Sequence, residues 1–196
     1  IGHRRVITAL VSSSRSRGEE SLVVTFANHP RAVLQQDARS LRLLSSPDEK
    51  KEMILALGVD RVEVLDFTRE FASMTAEEYL RGTVRDGLGG DAVLLGYDNR
   101  LGSDNLLPDQ IRPVAGRLGM EVIVVPPLMS GSQAVSSTCI RRLLSSGDVE
   151  GAAAMLGYEY SLHGAVVPGK QYGRELGYPT ANMQMYDPRK LVPAAG

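Results

Sequence analysis

Four short runs of the chain, residues 21–26, 61–67, 92–98 and 121–127, are dense in Val, Leu and Ile with little alternation. That pattern predicts strands buried on both faces of a parallel sheet. Helical patterns with readable ends lie between them. Ser46 followed by Pro47, Asp48 and Glu49 predicts a helix start, and Gly58 is placed to stop it. Thr75 with Glu78 three residues on is a capping box, with Gly87 at that helix's exit. Pro108 and Asp109 open another helix, which Gly119 closes. At the front of the chain Val6, Ile7, Leu10 and Val11 share one helical face, so a helix is expected from residue 3. A right-handed β-α-β unit puts a strand ahead of such a helix. None precedes it here, and the expectation is a chain cut at its N-terminus.

Strands alternating with helices of a few turns predict a doubly wound, Rossmann-like α/β fold. After Pro127 the text changes. Ser136, Ser137 and Thr138 lead into Ile140, Leu143 and Leu144, a helix with a hydroxyl-rich start. Gly147 and Asp148 separate it from a second helix that Gly157 ends. From Tyr158 the chain turns Gly-rich and strand-like, with a run at 162–167, a turn at Pro168 and Gly169, then Gly173 and Gly177. The expected organisation is one domain over 1–157 and the opening of a second over 158–196. The latter is too short to bury a core alone.

Composition narrows the function classes. Of 196 residues, 22 are Lys or Arg and 23 Asp or Glu, so there is no bulk electrostatic case for nucleic acid or a membrane surface. The longest apolar runs are far too short for a bilayer span. Cys139 is the single cysteine, which excludes an internal disulfide framework and suits a reducing cytoplasm. No signal-peptide pattern precedes the first helix.

Two helix starts are candidates for holding phosphate. Gly2-His3 opens the first helix, whose unpaired N–H groups and partial positive charge suit an anion; the same dipeptide is also an ordinary chain entry. Ser136-Ser137-Thr138 with Arg141 one turn on is a second candidate anion site; taken alone the pattern reads first as an N-cap with one surplus hydroxyl and a solvated arginine. Gly96-Tyr97-Asp98-Asn99-Arg100 and Thr25-Phe26-Ala27-Asn28-His29-Pro30 each lie just past a strand's carboxyl end, where open α/β sheets bind ligands. His29 reads either as a ligand contact or as a turn residue. The carboxylates show no metal-ligand spacing.

These residues, together with Glu49-Lys50, Gly58-Val59-Asp60, Leu65-Asp66-Phe67, Phe71-Ala72 and Val135-Ser136-Ser137-Thr138-Cys139-Ile140-Arg141, resemble the bacterial bifunctional riboflavin kinase/FMN adenylyltransferase family, the prokaryotic FAD synthetases. The tail resembles the opening of that family's riboflavin kinase module. It carries Gly164, Val166-Val167, Gly169 and the run Gly173-Arg174-Glu175-Leu176-Gly177-Tyr178-Pro179-Thr180-Ala181-Asn182. The resemblance runs in order along nearly the whole chain.

It implies a nucleotidyltransferase domain followed by the start of a β-barrel kinase domain. The first would move AMP from ATP onto FMN, giving FAD and pyrophosphate; the second, in the intact protein, would phosphorylate riboflavin. His3, Ser137, Thr138 and Arg141 would be catalytic, with Gly2, Asp98 and Ser136 joining them around ATP. Phe26, His29, Pro30, Asp98 and Asn99 would border the flavin. Gly169, Gly173, Gly177, Pro179, Thr180 and Asn182 would serve the kinase nucleotide, with Thr180 and Asn182 on Mg²⁺. The chain departs from the family where Asn99 and Leu101 replace aromatics and Ala27-Asn28 replaces Glu-Pro. Other readings are a nucleotidyltransferase acting on another phosphate substrate and a non-catalytic flavin-binding relative. The implied partners are nucleotides and flavins.

Overall fold

The computed structural model describes residues 2–28, 30–34, 42–126, 136–169, 177–178 and 181–195. The chain divides into two compact units, one of Gly2–Arg39 with Glu49–Gln133, the other of Ser40–Asp48 with Ala134–Gly196.

In the first unit, α1 (Gly2–Arg17) leads to β1 (Leu22–Phe26), and α2 (Pro30–Leu34) and α3 (Pro47–Leu55) to β2 (Arg61–Leu65). β1 and β2 pair in parallel from Leu22 opposite Arg61 to Phe26 opposite Leu65. α4 (Arg69–Ser73), α5 (Ala76–Glu78) and a π-helical stretch Tyr79–Gly87 follow. Then β3 (Ala92–Gly96), α6 (Pro108–Arg117) and β4 (Glu121–Val125) complete a second parallel pair, from Ala92 opposite Glu121 to Gly96 opposite Val125. The expected alternation of strands and helices is present as mixed α/β with parallel pairing. The sequence pattern predicts one continuous sheet, whereas no described strand bridges the two pairs.

Apolar periodicity explains the packing. Val11 of α1 and Ile54 of α3 are buried with Val59 and Val62, with Ile7, Val23 and Val64 packed around them. A second core joins Leu80 and Val84 of the π-helical stretch to Ile111, Val114 and Ala115 of α6, and to Met120 and Val122. Leu80 and Ile111 are fully buried, each contributing roughly 1.5–3 kcal/mol of transfer free energy. Thr75 and Glu78 form the capping box that the spacing predicts, each binding the other's backbone N–H. The helix it starts tightens to α geometry only over Ala76–Glu78 before widening into i→i+5 pairing, a departure that the capping signal does not encode.

The second unit holds α7 (Ser137–Ser145), α8 (Val149–Leu156) and an antiparallel pair, β5 (Gly164–Val167) with β6 (Asn182–Met185). Ile140 and Leu144 of α7 pack on Ala152 and Leu156 of α8 and on Leu191. Residues from the front of the chain also belong to it. Leu43 N–H donates to the Arg189 carbonyl and the Leu191 N–H donates to the Leu43 carbonyl, both at 2.8 Å. Lys190, buried, donates to the Leu44 carbonyl at 2.9 Å and lies 4.5 Å from the centre of the Tyr160 ring. Among the described residues this small pair of strands is not closed into a barrel.

Candidate active site

Parallel pairing puts the carboxyl ends of β1 and β2 on one edge, and those of β3 and β4 likewise. The direction of α1 follows from its far end. The Arg17 guanidinium binds both carboxylate oxygens of Glu121, the first residue of β4, at 2.7 and 3.1 Å. Arg15 lies against Gly58, just ahead of β2. The C-terminus of α1 is therefore at the amino ends of the strands. Its 16 residues span about 24 Å against about 17 Å for a five-residue strand. Gly2 and His3 are thus delivered toward the carboxyl edge. His3 is exposed in the first turn, beside backbone N–H groups that the helix itself does not use.

At the end of β1, Phe26 meets Phe67 and Phe71 with ring centres 5.1 and 5.2 Å apart, both edge-on, and Phe71 meets Tyr79 at 5.6 Å. All three phenylalanines of the chain gather here, half-buried. Lys50 of α3 reaches the same place and donates to the Phe26 carbonyl at 3.4 Å; burial pushes its ammonium below the usual lysine range. Pro30 starts α2, and His29 lies outside the described residues.

Past β3, Tyr97, Asp98, Asn99 and Arg100 are exposed. The Tyr97 N–H still donates to the Val125 carbonyl at 3.1 Å, and the Asn99 N–H turns back to the Gly96 carbonyl. The strand therefore ends at Gly96, two residues before the apolar run suggests. A β-carbon at Gly96 would come within 2.5 Å of Asn99 Oδ1, so glycine makes room for that side chain. The loop beyond is pinned. Leu101 and Leu106 exchange backbone bonds at 3.0 Å, the Ser103 N–H donates to the Met74 carbonyl at 2.8 Å, and Asp104 accepts from the Ala76 N–H at 2.9 Å.

In the second unit Ser136 is the N-cap of α7, its Oγ accepting from the Cys139 N–H at 3.2 Å. Ser137 and Thr138 are exposed in the first turn. Arg141 is half-buried and its Nε donates to the Arg42 carbonyl at 2.9 Å. In the β5–β6 region Asn182 pairs with Val167, and its side chain lies so close to Gly169 that any β-carbon there would collide. Gly177 is exposed in the left-handed region at φ 79°. Gly173, Pro179 and Thr180 lie outside the described residues.

Among the described residues no group of three or more His, Cys, Asp or Glu side chains could hold a metal ion. Of the two residues expected at Mg²⁺, Asn182 opens β6 and Thr180 lies outside the described residues. Sequence reasoning also passed over Lys50, Asn28, Phe67 and Phe71 as site residues. The Leu65-Asp66-Phe67, Phe71-Ala72 and Glu49-Lys50 runs carried a signal through the family resemblance, and Asn28 lies in the segment past the first strand's carboxyl end.

The family model for FAD synthetase matches residues 1–139. The chain belongs to the FAD synthetase family. Residues 156–196 of this family member match the riboflavin kinase model. The bifunctional riboflavin kinase/FMN adenylyltransferase of Listeria monocytogenes is 31% identical over 198 residues, and that of Bacillus subtilis 30% over 201. The Escherichia coli K12 protein of the same description is 28% identical over 196 residues. Each comparison covers 100% of this FAD synthetase family chain, and the chain spans only 61–62% of the relatives' length. A crystal structure described as a macrolide-efflux protein from Streptococcus pneumoniae superposes with a TM-score of 0.88 at 31% identity, covering 100% of this chain and 63% of that one. No described helix is long and apolar enough to cross a membrane.

Proposed function

We propose that this chain carries an FMN adenylyltransferase, over residues 1–157, and the opening of a riboflavin kinase module, over 158–196. The reading makes the first part a doubly wound, Rossmann-like domain and the second the start of a β-barrel, in a cytoplasmic protein whose partners are nucleotides and flavins. The observation that carries it is the succession of an FAD synthetase match and a riboflavin kinase match along one chain. The delivery of the α1 start toward the strand edge that bears Phe26 and Asp98 supports it.

In the reaction proposed, a phosphate oxygen of FMN attacks the α-phosphorus of ATP while the bond to the bridging oxygen breaks and pyrophosphate leaves. No protein nucleophile takes part, so the work is alignment and neutralisation of charge on the phosphoryl oxygens. ATP enters as its Mg²⁺ complex, bringing the metal with its own phosphates. Gly2 opens the α1 start and His3 donates there to a phosphoryl oxygen. Ser137 and Thr138, set on the first turn that Ser136 caps, offer hydroxyls to the triphosphate, and Arg141 adds positive charge. Asp98 and Asn99 border the nucleotide and flavin, with Phe26, His29 and Pro30 on the flavin side. Gly169, Gly173, Gly177, Pro179, Thr180 and Asn182 belong to the kinase nucleotide site.

The test is to incubate the full-length protein with FMN, ATP and Mg²⁺ and to follow FAD by chromatography. FAD with matching pyrophosphate is expected. Flavin binding without FAD would favour a non-catalytic relative, and turnover of a different phosphate substrate would move the protein to another nucleotidyltransferase class.

A further inference from the structure

The β1–β2 ladder has its last backbone rung where the Ala27 N–H donates to the Leu65 carbonyl at 2.9 Å. One step on, a side chain takes over. Asn28 Nδ2 donates to the Phe67 carbonyl at 2.9 Å, while the Phe67 N–H donates to Asn28 Oδ1 at 2.8 Å. The carboxamide thus behaves as an extra peptide unit in the sheet, satisfying both polar groups of Phe67 where no further strand backbone does. With its N–H and C=O both tied, the Phe67 backbone has little freedom to rotate. Its ring is the one that meets Phe26 edge-on at 5.1 Å and Phe71 at 5.6 Å. The Phe26 carbonyl is held from the other side by Lys50.

We infer that Asn28 is a positioning residue for flavin binding: its clamp on Phe67 sets the orientation of the Phe26, Phe67 and Phe71 rings against which the planar ring system of FMN packs. This rests on the adenylyltransferase reading. Three half-buried rings at the carboxyl end of parallel strands offer the offset and edge-on contacts that a flat heteroaromatic ligand uses. Preorganising such a surface strengthens binding by removing the cost of ordering its side chains. Asn28 touches neither the reacting phosphates nor the nucleotide in this scheme. It acts through Phe67.

The test titrates FMN with the full-length protein and follows the quenching of flavin fluorescence, alongside steady-state FAD formation. Asn28→Asp keeps the shape but sets a carboxylate oxygen against the Phe67 carbonyl. It should weaken FMN binding and raise KM for FMN by about tenfold, with kcat and KM for MgATP within about threefold. Phe67→Leu should weaken FMN binding as well. Adding Asn28→Asp to Phe67→Leu should then cost little further FMN affinity, as expected where one residue acts through the other. The split between KM for FMN and kcat separates this from a general loss of structure. Unchanged FMN affinity in Asn28→Asp, or full additivity with Phe67→Leu, overturns the inference. If Asn28→Asp fails to fold, Asn28→Ala is read by the same criteria. A wild-type protein that binds FMN but forms no FAD sinks the adenylyltransferase reading and leaves the clamp to be judged by binding alone. A wild-type protein that does not bind FMN overturns both.

Discussion

Arg17 and Glu121 form a two-pronged ion pair that fastens the last turn of α1 to the first residue of β4. The pair fixes which way α1 runs, and so which edge of the strands receives His3. The hydrogen bond from Arg17, ahead of its charge, holds the Glu121 carboxyl below the usual range. A depressed carboxyl contributes stability that is complete above the unfolded value, about 4.3, and is lost as pH falls through the folded one. Both side chains are substantially exposed, so the effect is small and screened by salt. Glu121→Gln should lower the denaturation midpoint slightly at pH 7, and the difference from wild type should vanish in acid. Urea titrations at neutral pH and below pH 4 check it.

Gly102 stands at φ 76°, with the Ala76 nitrogen 2.2 Å and the Thr75 carbonyl carbon 2.7 Å from where a β-carbon would sit. Neither neighbour is a flexible side-chain end. Gly102→Ala should cost about 2 kcal/mol or more, combining left-handed strain with backbone collision. Because the same loop carries Asp98 to Arg100, turnover should fall further than stability at permissive temperature. Thermal melts and FAD assays on one preparation separate the two.

The three hydroxyls at the start of α7 are not equivalent. Ser136 spends its oxygen on the Cys139 N–H, whereas Ser137 and Thr138 are exposed. Ser136→Ala should therefore cost about 1 kcal/mol of stability through the lost cap. Ser137→Ala and Thr138→Ala should leave the melt within about 0.5 kcal/mol of wild type and cut FAD formation instead. Calorimetry with parallel kinetics decides. Equal behaviour of all three would remove the hydroxyls from the triphosphate.

His3→Ala should slow FAD formation by about two orders of magnitude while FMN still binds, as expected for a donor to charge that builds in the transition state. The measurement is kcat at saturating FMN and MgATP. An unchanged kcat would strip His3 of that role.

Much of the fold is legible because its punctuation is local. Gly58, Gly119 and Gly157 stop helices and sit at φ 88°, 73° and 79°, and Thr75 with Glu78 makes its box between neighbours in sequence. Asp148 caps α8 by binding the Gly151 N–H, again within one turn. What stays hidden is made at long range. Asn28 and Phe67 are 39 residues apart, and Arg141 finds the Arg42 carbonyl across 99. No periodicity signals either. The widening of the Tyr79–Gly87 helix is hidden for another reason: its apolar spacing fits either helix type, and Leu80 and Val84 are buried in the π-helical form. At the site, the phosphate-capable helix starts could be read from residue type, but the division of labour between Ser136 and its neighbours needed the cap geometry.

The pairing of Leu43 with Arg189 and Leu191, and of Lys190 with the Leu44 carbonyl across 146 residues, has a consequence for how the protein is made. A contact of that span requires a long loop to close before it returns any stabilisation. During synthesis the segment around Leu43 emerges early and must wait, its backbone groups in water, until residues 189–191 leave the ribosome. The unit that contains α7 and α8 is therefore completed only after residues 189–191 are made, and residues 136–195 expressed alone would lack the Leu43 and Leu44 backbone that pairs with them.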